Sequence, residues 1–70
     1  MENKFKVGQL VRHCSQRYDD PSFGIVLYMY DYYPGIAYRV YWFGKFMKKM
    51  GYSSDPTVSH RSEFLRKYER

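Results

Sequence analysis

Residues 23 to 43 read FGIVLYMYDYYPGIAYRVYWF, and this segment limits the choice of fold more than any other. Its first run, Phe23 to Tyr30, is dense in β-branched and aromatic residues and too short for an ordinary helix. The second, Ile36 to Phe43, sets Ile36, Tyr38, Val40 and Trp42 against Ala37, Arg39, Tyr41 and Phe43, which is the period of a strand. Between them lies Asp31-Tyr32-Tyr33-Pro34-Gly35. Pro34 presets φ for the first central position of a turn, and Gly35 supplies a positive φ at the second. The segment therefore reads as an antiparallel hairpin. Both faces of its second strand are apolar, which suits a small, strongly bent barrel whose interior takes one face while loops partly cover the other. Trp42, sharing a face with Tyr38 and Val40, reads as core.

The flanks supply the remaining strands. Lys6 to His13 alternates Val7, Gln9 and Val11 with Gly8, Leu10 and Arg12, so the first strand is placed there. Cys14 to Ser22 has no apolar period and ends in Asp-Asp-Pro-Ser, so it reads as a long loop. Residues 44 to 56 are a second long connection, with glycines at 44 and 51 and the turn formers Tyr52 to Pro56. Thr57 to His60 forms a short fourth strand. From Arg61 to Arg70 periodicity leaves two readings open: Phe64, Leu65 and Tyr68 fit one helix face, and Phe64, Arg66 and Tyr68 fit a strand. Residues 4 to 68 form a single domain, with no internal repeat or linker.

Composition narrows the class further. Aromatic rings make up 21% of 70 residues, enough to build a core in a chain too short for many aliphatic layers and too apolar for a disordered basic tail. The N-terminal residues show no apolar stretch behind a basic one, and the longest apolar run ends at Asp31, so neither a signal peptide nor a membrane span is expected. One cysteine, Cys14, makes no intrachain disulfide, and a reducing cytoplasm is the expected location. Twelve Lys plus Arg against seven Asp plus Glu give a net charge of +5, which favours an anionic partner.

Four or five short strands with a long first loop point to a mostly β, SH3-like barrel. KVGQLVRH followed by FGIVLYMY resembles the opening of KOW-like and related SH3-like barrels, through Gly8, Val11, Gly24 and Val26. The longer succession, KVGQLVRH, GIV, YRVYWF, a polar loop and HRSEFL, is similar to small proteins encoded by tailed bacteriophages. That resemblance implies a turn followed by a final strand, placed at His60 to Glu63 and Phe64 to Tyr68. It would also make the location the cytoplasm of a host cell.

Catalytic and metal chemistry find little support. His13, Cys14 and His60 are the soft ligands, but neighbours on a strand point to opposite faces and no paired-cysteine spacing accompanies them. Ser53, Ser54, Asp55 and His60 carry the letters of a hydrolytic triad in an ordinary turn, without the glycines of a nucleophile elbow. No enzyme activity and no cofactor are expected.

The charge pattern is more informative, because from Tyr32 to Ser54 there is no acidic residue, while Arg39, Lys45, Lys48 and Lys49 all fall there. Cations interleaved with rings are what single-stranded nucleic acid uses for charge and stacking. The expected interface is Arg12, Arg17, Arg39, Lys45, Lys48 and Lys49 on phosphates, with Tyr32, Tyr33, Phe46 and Tyr52 as stacking surfaces in loops. The partner would be RNA or single-stranded DNA. The alternative is a protein-interaction module, a phage factor or small virion component whose partner has an acidic rim and meets Phe46, Met47 and Met50. In either case the expected state is a monomer or weak homo-oligomer without membrane contact.

Overall fold

A computed structural model describes residues 4 to 46 and 56 to 68. The five strands are β1 (Leu10–His13), β2 (Phe23–Tyr32), β3 (Gly35–Phe43), β4 (Thr57–Arg61) and β5 (Leu65–Lys67), with a 3-10 turn at Ser62–Phe64. They form one antiparallel sheet in the order β4-β3-β2-β1-β5. This is the small SH3-like barrel expected, with its helical turn before the last strand. Curvature shows in the side chains: His13 on β1 and His60 on β4, which are not neighbours in the sheet, have ring centroids 5.1 Å apart.

The interior takes Phe5, Val11, Val26, Tyr38, Val40, Trp42, Phe46 and Leu65. Tyr38 is wholly buried, and its hydroxyl accepts the backbone N–H of Lys4 at 3.0 Å and of Phe5 at 3.4 Å. A buried phenol thus has its polar end satisfied while its ring meets Phe5 edge-on at 5.3 Å. Trp42 is core, as its strand face required.

Several boundaries differ from the sequence reading. The first strand starts at Leu10 rather than Lys6, because Gly8 takes a φ of 87° and the Gln9 N–H folds back onto the Lys6 carbonyl at 3.0 Å. The hairpin turn is also shifted. Tyr32 pairs with Gly35, so Tyr33 and Pro34 are the central residues, joined by a cis peptide, and Gly35 belongs to β3 without a positive φ. In the tail, Leu65 rather than Phe64 enters the core, since Leu65 pairs with His13 on the inward side.

Between Val26 and Tyr28 the β2–β3 register slips by one residue, leaving Leu27 as a bulge. Before it, Gly24 and Val26 face inward; after it, Met29 packs on the core, paired with Tyr38. Because side chains alternate along a strand, the slip moves Tyr28, Tyr30 and Tyr32 together to the outer face.

Candidate functional site

The outer face of β2, β3 and β4 carries a row of exposed rings. Tyr28, Tyr30 and Tyr32 retain 53%, 39% and 50% of their accessible surface. Their register partners on β3 are Arg39, Ala37 and Gly35, and the next rank on β4 places Ser59 opposite Arg39 and Arg61 opposite Ala37. Small residues at Ala37 and Gly35 leave the tyrosines uncovered. Toward the other end of the hairpin the same face continues through Tyr41, Phe43 and Phe23, with Phe23 and Phe43 stacked at 5.0 Å.

Two arginines are placed within this face. Arg39 donates to the Ser59 hydroxyl at 3.2 Å and to the Thr57 hydroxyl at 2.7 Å, which fixes its guanidinium across β4. Arg61 lies 4.9 Å from the Tyr32 ring centroid, in cation–π contact, and also 3.7 Å from the Glu63 carboxylate. Both groups of that ion pair are well exposed, so it holds the arginine only weakly.

The residues expected to make one interface do not gather in one place. Phe46 is a correction: it is only 8% exposed and packs in the core, with its N–H donated to the buried Ser22 hydroxyl at 3.2 Å. A ring in that position cannot accept a base. Arg12 is a correction as well, because its guanidinium donates to the carbonyls of Arg17 at 2.6 Å and Asp20 at 3.2 Å and so ties down the first loop. Arg17 is exposed but sits 3.5 Å from the Asp19 carboxylate. Lys45 is exposed beside Phe43, at the end of β3 opposite Tyr32 and Tyr33. Tyr32 is part of β2 rather than of a loop, and Tyr33, at the hairpin tip, is 94% exposed. Lys48, Lys49 and Tyr52 lie outside the described residues, as do Met47, Met50, Ser53, Ser54 and Asp55.

Of the expected residues, Tyr32 and Arg39 lie on this face, where Tyr28, Tyr30 and Arg61, not among those expected, stand beside them. A period-two spacing of tyrosines from 28 to 32 was the available signal. It was obscured because Ile25, Leu27 and Met29 make the opposite phase equally apolar.

At one end the row meets an open cleft of about 630 Å³. Tyr30, Tyr32, Ala37, Ser59 and Arg61 contribute from the sheet face. His13, Cys14 and Ser15 contribute from the end of β1, His60 from β4 and Phe64 from the 3-10 turn. Both imidazoles are constrained: His13 Nδ1 accepts the Ser15 N–H at 3.0 Å, and His60 Nε2 accepts the Trp42 indole N–H at 3.1 Å. Burial pushes the His13 pKa below its ordinary value, and burial together with neighbouring His13 pushes that of His60 down to about 4. The pair is neutral at physiological pH. Cys14, expected to point away from His13, is exposed and lines the same cleft, because the chain leaves β1 at His13 and strand alternation stops there. Among the described residues no group of three or more His, Cys, Asp or Glu is arranged to hold a metal.

Comparison with protein-family models, with curated proteins and with solved structures gives no match for this chain. Among the described residues no helix is long and apolar enough to cross a membrane.

Proposed function

We propose that the protein binds single-stranded nucleic acid, RNA or DNA, on the outer face of β2, β3 and β4. One observation carries the reading: Tyr28, Tyr30 and Tyr32 stand half-exposed in a row on one strand, with arginines set among them from β3 and β4. Flat rings at strand spacing accept unstacked bases whatever their identity, and guanidinium groups beside them meet the phosphates. A net charge of +5 draws a polyanion to the surface. Arg39, Arg61 and Lys45 are the phosphate contacts in this reading, and the sequence likeness to KOW-like phage barrels also favours binding over catalysis.

The test is fluorescence anisotropy with labelled single-stranded RNA and DNA at two salt concentrations. Three phosphate contacts give a slope of log affinity against log salt of about −2. Tyr28→Ala combined with Tyr30→Ala lowers affinity by at least about tenfold, the loss of one or more stacked bases. Absence of binding at low salt, with capture of a protein partner that survives nuclease, would replace this reading with the protein-interaction one.

A further inference from the structure

The cleft beside His13 and His60 shares two of its walls with the tyrosine row: Tyr30 and Tyr32 belong to both. A strand lying along Tyr28 and Tyr30 is thus led directly to its mouth. Its volume, about 630 Å³, is in the range of a small-molecule pocket, and its walls combine flat rings with a few polar groups. Phe64 and His13 are stacked, with an interplanar angle of 12° and centroids 6.3 Å apart, so the far wall is also flat.

Its charge is sparse. Arg61 is its cation, already lying over Tyr32 and within reach of Glu63, and both imidazoles are neutral. A free phosphate or carboxylate meets that one cation and no second. An uncharged flat ring with hydrogen-bonding edges finds stacking on Tyr30, Tyr32 and Phe64, and polar partners in Ser15, Ser59 and Arg61.

We infer that the cleft is a nucleobase pocket, in which the terminal base of a strand bound on the tyrosine row leaves the row and inserts between the Tyr30/Tyr32 wall and Phe64. The inference rests on the single-strand reading above and adds to it a defined end to the binding site.

The experiment compares a fluorescently labelled five-nucleotide oligothymidylate with versions carrying an abasic sugar at the 5′ or the 3′ end. Removing the base at one end, and not at the other, weakens binding by about tenfold. Ser15→Trp, which fills the cleft from an exposed loop position, causes the same loss with the intact oligomer and no further loss with that abasic one. Should Ser15→Trp fail to fold, reaction of exposed Cys14 with N-ethylmaleimide blocks the same wall in the unaltered chain, and bound oligomer slows that reaction. If the intact and abasic oligomers bind alike while Tyr28→Ala weakens both, the pocket is overturned and the platform stands. If no oligomer binds at any salt concentration, the platform fails and the pocket with it.

Discussion

Gly24 pairs with Trp42 across the hairpin, and the indole lies over the place where its side chain would be. A Cβ there would come within 3.0 Å of Trp42 Cε3 and closer still to Val40 Cγ1, both in the packed interior. Gly24→Ala is therefore expected to destabilise the fold by about 1 to 3 kcal/mol, the cost of overpacking a close-fitted core. A urea midpoint unchanged from the parent protein would contradict that. Phe46 shows the same dependence on distant partners. Its neighbours in sequence include three lysines, so it reads as exposed, yet the Ser22 hydroxyl, 24 residues away, draws its backbone in and the core takes the ring. Gly44, two residues before it, has a φ of 99°, a conformation glycine adopts without the penalty other residues incur. Arg12 is the polar counterpart: its charge suggests a phosphate contact, and its geometry makes it the peg of the first loop.

The hairpin formed by β2 and β3 is the element on which the site depends, and Leu27 decides what it displays. With ten residues in β2 and nine in β3, it runs for roughly 30 Å at about 3.3 Å per residue, with rings along its outer side throughout. Were Leu27 kept but paired regularly, strand alternation would carry Tyr28, Tyr30 and Tyr32 to the core side and turn Met29 outward. Deleting Leu27 is expected to leave the fold intact, because Tyr28 would then follow Val26 directly in the ladder, still opposite Arg39, with the three tyrosines outside and Met29 inside. Circular dichroism and a well-dispersed NMR spectrum would show it; loss of dispersion would mean that the sheet needs the extra residue to bend. The hairpin itself was legible from its two apolar runs, although its turn is centred on Tyr33 and Pro34 rather than on the Pro-Gly pair. Its phase was not, since both phases of FGIVLYMY are apolar and a bulge leaves no mark on such a pattern.

For the molecule as a whole, closure of the barrel brings β1 and β4 together and makes stability depend on pH. His60 is held neutral by burial and by His13, with its pKa lowered to about 4, whereas an unfolded chain titrates near 6.5. Between those values the unfolded state binds more protons, so stability is complete above pH 6.5 and declines as pH falls toward 4. The urea midpoint is expected to be higher at pH 7 than at pH 5, with His60→Gln showing a smaller difference. An equal difference in the variant would assign the effect to other groups. The lowered His13 pKa acts in the same direction.

What the residues decide by themselves is a mostly β chain with a central hairpin, a long first loop and an inward Trp42, because strand period and turn chemistry are local properties. The helical turn and final strand followed from resemblance, since the tail fits two periods equally. Which aromatic rings are left outside is another matter. It depends on a one-residue slip at Leu27, on Ser22 holding Phe46, and on β4 placing Arg61 over Tyr32. Each of these joins segments far apart in the chain, and the free energy that selects them arises only when the sheet has curled and its surfaces are in contact.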